Sequence, residues 1–502
     1  MKKQSFITGA FLLAVATGLG KIFSAIFKIP LDRFFLHAEG MAVFNGAYNI
    51  YMFFFTAATA GIPLALSRMV ASCDDKKDEN DILSTSMLFI FSLLTLFSVL
   101  IFIFADVIAQ LIAIPEASLA FRVMSPALMF CGITATLRGF FQGRMNMLPS
   151  ALSQVSDSFG RFFAGIIMAF AFSSFPLSIR SAGAISGVPF GALLSALILI
   201  VAAIKSDIKF NFGFSVDVLK KLLFLSIPIT LTSSMHAVFN MLDTVSVVPF
   251  LSYMGVAEAQ SSFGCLSRAA MLYALPVSIS TAVAASVLPA VTDSSKANNS
   301  DKLNSDVSMA IRLVLIISVP CSAGFMAIPQ GVLNVLFENS RDYMTLRLIG
   351  LSAVFLSVGL VFASILQGVG KIRQSVMSAL FAIVTKIVLN FSLMYIWGIN
   401  GTALSTTLSY FVFMATLLFF TLKATSIRPK VTQHVIKPLF CGLLCFFAAL
   451  ASAPFVPAVA VIAIAAIVYI PSVFLTRLVT LGELNQIFSA HKIEGDSAKN
   501  PV

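Results

Sequence analysis

Residues 84–111 read STSMLFIFSLLTLFSVLIFIFADVIAQL, and Asp106 is the one charged residue in this run. A helix that crosses the hydrocarbon core of a bilayer needs about 20 mainly apolar residues. The run therefore predicts a transmembrane helix. Similar apolar segments recur on both sides of it, at about 5–36, 44–70, 120–143, 150–175, 183–204, 222–248, 263–292, 308–336, 346–369, 375–396, 401–422, 438–453 and 458–476. The sequence thus predicts about fourteen spans.

The composition agrees with a membrane protein. Hydrophobic residues make up 58% of the 502 residues, charged residues make up 11%, and the mean hydropathy is +0.96. Soluble domains carry about 25% charged residues, so a soluble or disordered chain is excluded. We therefore expect an all-α polytopic membrane protein.

Nothing in the sequence favours catalysis or a bound cofactor. The chain has no Walker loop and no GxGxxG motif after a strand, and its four histidines lie far apart. The six cysteines form no CxxC pair. We predict no enzyme activity, no cofactor and no metal site. Energy for any transport would then come from a Na⁺ or H⁺ gradient, from the membrane potential or from the gradient of the substrate itself.

The net charge of +11 is mostly a matter of topology. With this assignment, the loops on one side of the membrane, together with both ends of the chain, hold about 20 Lys and Arg residues, whereas the other side holds about two, Arg180 and Arg341. Basic residues gather in cytoplasmic loops. Both termini are therefore predicted to face the cytoplasm, and no nucleic-acid partner is expected.

A faint internal repeat relates the two halves. At a constant offset of 225, Arg161 meets Lys386, and the pair Gln142-Gly143 meets Gln367-Gly368. Six spans per half give both halves the same orientation, which is a parallel repeat about an axis along the membrane normal. The predicted organisation is a six-helix lobe, a cytoplasmic linker, a second six-helix lobe, two additional helices and a cytoplasmic tail, at 1–204, 205–221, 222–422, 423–476 and 477–502.

Charged residues inside the spans are costly, at about 3 kcal/mol each near the bilayer centre. In the first span, Lys21, Lys28 and Asp32 are spaced by seven and four residues, so they share one helical face. Lys21 lies about 24 Å from the cytoplasmic end, which is too deep for its side chain to reach the interface. These residues predict a cationic cavity. The alternative is that Lys28 pairs with Asp32 and only balances its charge.

Three more buried cations belong to the same predicted cavity. Arg161 has Asp157 one turn away, so an intrahelical pair is an equal alternative for it. Lys386 has no acid four residues before it, which makes it harder to explain as structural. Arg268 could line the cavity or pair with Asp243 of the preceding helix. Polar residues of the second span, Asn49 among them, either join helices or contact substrate.

Three short motifs lie at span ends: GIPLALSR at 61–68, RGFFQGR at 138–144 and LQG at 366–368. With the fourteen spans, they resemble the polysaccharide-biosynthesis branch of the multidrug/oligosaccharidyl-lipid/polysaccharide (MOP) exporter superfamily. Within it, the sequence is most similar to stage V sporulation protein B-like and lipid II flippase-like proteins. The resemblance covers about residues 1–476.

The resemblance implies two lobes in a V around a central cavity, and alternating access. It implies transport of an undecaprenyl-pyrophosphate-linked oligosaccharide, with lipid II foremost, across a bacterial plasma membrane, in wall growth, cell shape or sporulation. In lipid II flippases the first helix carries two arginines six residues apart. Lys21 matches the first of them, and the second falls on Phe27, one residue before Lys28.

Two other functions stay open at this point. One is a cation-coupled multidrug exporter of the same fold, which favours buried carboxylates. The other is a non-transporting membrane scaffold that docks cell-wall synthases through residues 437–476. Cell-wall synthases are also possible partners of a flippase.

Overall fold

The structure is a computed structural model that describes residues 16, 18, 20, 23, 26–73, 75–206, 208, 213–297, 300–425 and 431–478. Within these residues all regular structure is helical. The expected all-α polytopic architecture is confirmed. Lys21 lies outside the described residues.

The N-terminal half, taken as residues 16–205, begins with α1, which is helical at every described position up to residue 30, and a π-helical turn (Leu31–Leu36). The remaining helices of this half are α2 (His37–Ala60), α3 (Ile62–Ala71), α4 (Lys76–Ile103), α5 (Ala105–Leu111), α6 (Ala117–Met124), α7 (Pro126–Gly143), α8 (Leu148–Ala171), α9 (Leu177–Ile185) and α10 (Gly187–Lys205).

In the described part of the C-terminal half, taken as residues 216–424, there are nine helices, and two more follow within the described residues 431–478. The nine are α11 (Val216–Ser233), α12 (Met235–Tyr253), α13 (Ala259–Lys296), α14 (Ser300–Ala327), α15 (Pro329–Phe337), α16 (Tyr343–Ile349), α17 (Ser352–Gly368), α18 (Ile372–Trp397) and α19 (Ile399–Ala424). A π-helical turn (Thr432–Ile436) then leads into α20 (Lys437–Ser452) and α21 (Ala458–Leu475).

Helices coincide with the predicted spans from the second to the fourteenth. By length and apolarity, 11 helices or helix runs of the described residues can cross a membrane, or 12 if the pair α11–α12, bent by 61°, is one span. The run Ile26–Ala71 includes the end of the first predicted span and the whole second one, and His37, with φ 54°, separates them. Helix α8 has 24 residues but is not among these candidate membrane-spanning helices. The number fourteen and the domain boundaries remain predictions.

Helix packing is strongest within each half. In the N-terminal half α8 lies along α10, and in the C-terminal half α18 lies along α19. The added helices α20 and α21 pack on each other and on α14, where the hydroxyl of Tyr469 donates to the carbonyl of Ile316 at 3.1 Å. The repeat-related helices α8 and α18 thus have matching neighbours.

The two halves meet along α2, which packs against α11, α12 and α13. We call this contact the seam. At one end of the seam, a Cβ on Gly264 would lie 1.9 Å from the carbonyl oxygen of Ala38. At the other end, a Cβ on Gly61 would lie 2.3 Å from Oγ1 of Thr230 and 2.4 Å from the carbonyl oxygen of Ser226, both on α11. Glycine at both positions therefore allows the backbones of the two halves to touch.

Candidate functional site

A cavity of about 210 Å³ lies at the seam between the two halves. Side chains of α1 and α2 form one wall, and side chains from the end of α11 and from α12 and α13 form the other. Its polar and charged lining residues are Lys28, Asn45, Tyr48, Asn49, Thr56, Ser233, His236, Asn240, Asp243 and Ser267. The sequence-predicted residues Lys28 and Asn49 therefore line a common cavity.

Lys28 presents a cation to this cavity. Its Nζ donates to Oδ1 of Asn45 at 3.2 Å and lies 4.6 Å from the ring centroid of Tyr48. No carboxylate in the described part of the chain pairs with it. A cation held by an amide and an aromatic ring keeps its positive charge uncompensated.

Tyr48 connects Lys28 to a second cation. Arg161 of α8 donates from one guanidinium nitrogen to the Tyr48 hydroxyl at 3.0 Å and pairs with Asp157, one turn away, at 3.2 Å. The intrahelical pair considered from the sequence is therefore present. Arg161 does not line the cavity but holds a residue that does.

Asp32 pairs with Arg268 of the opposite half rather than with Lys28. The guanidinium donates to both carboxylate oxygens, at 2.6 and 2.8 Å, and both side chains are buried. The proposed pairing of Lys28 with Asp32 is wrong. Pro30 has no N–H to donate, and the residues after it form the π-helical turn, so the spacing of four no longer places the two side chains on one face.

Lys386 is completely buried, and its ammonium group contacts four side-chain oxygen atoms. Its Nζ lies 2.6 Å from Oδ1 of Asp243, and it donates to the side chains of Thr406, Ser405 and Asn390 at 2.7, 3.1 and 3.3 Å. The suggested pairing of Arg268 with Asp243 is therefore wrong. Lys386 lies behind Asp243 and does not line the cavity.

Asn49 bridges the seam. Its Nδ2 donates to Oγ1 of Thr244 on α12 at 3.0 Å. The sequence left open whether such polar residues join helices or contact substrate, and Asn49 does the first while it faces the cavity.

Two residues of this region escaped the sequence analysis. Arg138 lies near the cytoplasmic end of a predicted span, which favours a position at the interface with water, but it is buried and donates to the hydroxyls of Ser153 and Ser195, both at 2.8 Å. His236 lines the cavity, and its only signal in sequence is the spacing of His236, Asn240 and Asp243 along one helical face.

The electrostatics of the cavity follow from these pairs. Among the described lining residues, Lys28 is the cation and Asp243 the carboxylate, and Lys386 pairs with Asp243. The described part of the cavity wall therefore carries the positive charge of Lys28. Among the described residues, no group of three His, Cys, Asp or Glu side chains is placed to hold a metal ion.

Comparison with known proteins places this architecture in a family. The family model described as polysaccharide biosynthesis protein matches residues 6–295. The chain belongs to this family. A second family model, MatE, matches residues 228–392. The resemblance to the polysaccharide-biosynthesis branch of the MOP superfamily is confirmed.

Two curated relatives and one solved structure show the extent of the similarity. The lipid II flippase MurJ of Bacillus subtilis (strain 168) is 25% identical over 462 residues, 83% of this chain and 82% of that protein. Stage V sporulation protein B of the same organism is 26% identical over 330 residues, 63% of this chain and 64% of that protein. A lipid II flippase MurJ in an inward closed conformation has a TM-score of 0.73 at 17% identity, and the match covers 92% and 98% of the two chains. The last comparison establishes a shared fold.

Proposed function

We propose that the protein is a flippase that carries an undecaprenyl-pyrophosphate-linked oligosaccharide, namely the peptidoglycan precursor lipid II, across the plasma membrane of a bacterium. The name of one relative, the lipid II flippase MurJ, and the family description, polysaccharide biosynthesis protein, support a role in moving lipid-linked sugars. The observation that carries the proposal is Lys28, a cation without a carboxylate on the wall of the cavity at the seam.

A pyrophosphate suits this wall for an electrostatic reason. Removing an ammonium group from water costs several kcal/mol, and an anion in the same low-dielectric space recovers much of that cost. Hydrogen bonds from a charged donor to a phosphate oxygen are about twice as strong as neutral ones. A pyrophosphate bound at Lys28 would therefore be held mainly by its charge, whichever sugar it carries.

Transport of so large a headgroup requires the cavity to open. Cavities that enclose small ligands usually have volumes of about 300–1,000 Å³, and the cavity here has about 210 Å³. Ion pairs cross between the halves at Arg268 with Asp32 and at Arg33 with Glu338. We propose that the halves rock apart at one end and then at the other, which is alternating access. Both chain termini would face the cytoplasm, in line with the basic loops.

A second candidate is a multidrug exporter coupled to a cation, and the MatE match to residues 228–392 favours it. Such a protein needs a carboxylate that is free to bind protons, metal cations or cationic drugs. The buried carboxylates near the seam, Asp32, Asp157 and Asp243, each pair with an arginine or lysine. This pairing favours an anionic substrate.

The test is translocation of fluorescent lipid II in proteoliposomes that contain the purified protein. Lys28→Ala should lower the rate at least about tenfold, because a charge-assisted hydrogen bond contributes about 1.5–3 kcal/mol, and Lys28→Arg should retain more activity. Lys220→Ala, at an exposed lysine of α11, is the matched control and should behave like the wild type.

Two outcomes would overturn the proposal. One is lipid II translocation that is unchanged in Lys28→Ala. The other is absence of lipid II translocation together with ethidium efflux by the same preparation, which would establish the exporter instead.

A further inference from the structure

A second cavity, of about 450 Å³, lies away from the seam in the C-terminal half. Its first wall consists of the start of α15 with the residues before it and of α16, and its second wall consists of α21 and the turn between α20 and α21. These segments flank the loop of Arg341, on the side of the membrane that is predicted to face away from the cytoplasm. The cavity therefore opens at the outer end of the protein.

The two walls differ in chemistry. The polar side chains of the lining are all on the first wall: Gln330, Asn334, Tyr343 and Arg347. The second wall is apolar and includes Val456 and Val461. A ligand that fills this cavity therefore needs a polar part and an apolar part.

Arg347 is the charged residue of the polar wall. The tendency of basic residues to gather on the cytoplasmic side does not explain a cation here, and a cation at the start of a span is costly without a partner or water. Its Nε donates to the carbonyl of Met326 at 2.9 Å, in the last turn of α14, where carbonyl groups lack helical donors. This bond fixes the guanidinium at the cavity wall.

The two terminal nitrogens of Arg347 have no hydrogen-bond partner among the described residues. The acids nearest to it along the chain are Glu338, which pairs with Arg33, and Asp342, and neither of them lines the cavity. The planar guanidinium presents donors in a geometry that matches two oxygens of a phosphate. The charge of this wall therefore suits a phosphate group.

The apolar wall indicates that the phosphate is attached to an apolar chain. The second wall continues along α21, where Val459, Ile462 and Ile467 are exposed. Such a helix face in a membrane-spanning chain lies against lipid. A free inorganic phosphate would use only the polar wall, whereas a phospholipid would use both.

We propose that this second cavity binds the headgroup of an anionic glycerophospholipid of the outer leaflet, with Arg347 on the phosphate and the acyl chains beside α21. The inference does not depend on the proposed function. A lipid bound there contacts both α16 and α21, so it ties the two added helices to the C-terminal half.

The experiment measures dissociation constants for the full-length protein in an uncharged detergent. The probe is dioctanoyl phosphatidylglycerol, and dioctanoylglycerol, which has the same chains without the phosphate, is the control ligand. The wild type should bind the phosphate-bearing lipid at least about tenfold more tightly, because hydrogen bonds to a charged donor are gained.

Arg347→Gln should remove most of this preference. Asn334→Asp, an exposed position of the polar wall, should weaken binding of phosphatidylglycerol about threefold through repulsion without disturbing the fold. Arg122→Gln is the matched control, because Arg122 lies at the same predicted side of the membrane in the N-terminal half and pairs with Asp106 at 2.6 Å. It should keep the preference of the wild type.

Four outcomes would overturn the inference. The first two are equal affinity of the wild type for the two lipids and an unchanged preference in Arg347→Gln. The third is a preference that disappears in Lys28→Ala but not in Arg347→Gln, which would place the lipid in the cavity at the seam. The fourth is displacement of phosphatidylglycerol by inorganic phosphate at equal concentration, which would show that the acyl chains contribute nothing.

Discussion

Arg161 and Lys386 occupy equivalent positions of the internal repeat, and the structure gives them different tasks. Both are buried and both pair with an aspartate. The partner of Arg161 is on its own helix, so the pair is local and the guanidinium can also hold Tyr48 at the cavity wall. The partner of Lys386 is on α12, so that pair joins two helices of the C-terminal half.

The difference shows how two similar halves can form a cavity with unlike walls. In the N-terminal half, a tyrosine between Arg161 and Lys28 leaves the ammonium of Lys28 without a carboxylate. In the C-terminal half, Lys386 cancels the charge of Asp243, the carboxylate that faces the cavity. The net charge of the cavity therefore depends on where the aspartate of each half lies relative to the cavity wall. Four substitutions test this comparison.

The largest effect is expected for Lys386→Met, which removes the ammonium and keeps most of the side-chain volume. Asp243 would then be a buried carboxylate without a partner, which typically costs about 3–5 kcal/mol. Unfolding in mixed micelles, followed by circular dichroism, measures the loss of stability. The double variant Lys386→Met with Asp243→Asn should recover most of it. A single variant as stable as the wild type would mean that the pair does not stabilise the contact between α12 and α18.

Arg161→Met should have a smaller effect, about 2 kcal/mol, because its ion pair lies within one helix and is longer, 3.2 Å against 2.6 Å for Lys386 with Asp243. Arg161 is also 11% exposed, whereas Lys386 is completely buried. The same unfolding assay measures it, with Asp157→Asn as the paired variant. A loss of stability equal to that of Lys386→Met would mean that a pair within one helix and a pair between two helices contribute equally.

Asn45→Asp would make the N-terminal half resemble the C-terminal half. The substitution is nearly isosteric and places a carboxylate oxygen about where Oδ1 now accepts from Lys28. We expect about a tenfold loss of affinity for a short polyprenyl pyrophosphate joined to N-acetylglucosamine, because the added carboxylate cancels the charge of Lys28. The stability of the protein should change little. Asn49→Asp, at the neighbouring seam residue that contacts Thr244, is the control and should weaken binding less. Undiminished binding by Asn45→Asp would show that Lys28 does not hold the anion.

The smallest effect is expected for Tyr48→Phe. The ring under Lys28 remains, while the hydrogen bond from Arg161 is lost, which typically costs about 1 kcal/mol. Binding of the same probe should weaken about threefold, because Lys28 is positioned less firmly. Tyr48→Leu, which also removes the ring, should weaken it further. Equal effects of the two variants would assign no role to the ring.

The sequence predicted the fold well because apolar length is a local property. The run at 84–111 falls on α4 and α5, although α4 begins earlier, at Lys76, within the polar segment before the run. The sequence also identified Lys28 and Asn49, because a polar residue within a span is costly in lipid and therefore faces the protein interior or a cavity. Lys386 shows the limit of such reasoning. Its partner Asp243 is 143 residues away along the chain, and no spacing rule connects them.

Two further misjudgements have local physical causes. The change from α-helix to π-helix after Pro30 rotates Asp32 away from Lys28, and regular helical spacing cannot represent that rotation. Arg138 lies one turn and a half from the end of α7, where an interfacial position was reasonable. It is instead enclosed because Ser153 and Ser195 are small enough to admit the guanidinium.

The glycines at the two ends of the seam have a mechanical consequence. At Gly264 a Cβ would meet the backbone of Ala38, and at Gly61 it would meet the side chain of Thr230 as well as the backbone of Ser226. Any larger residue at either glycine would therefore push the two halves apart. Polar contacts such as the pair of Asp32 with Arg268 also hold the halves together, and water could replace them if the halves rock apart as proposed. The two glycines would then be the places where the closed state is most sensitive to an added methyl group.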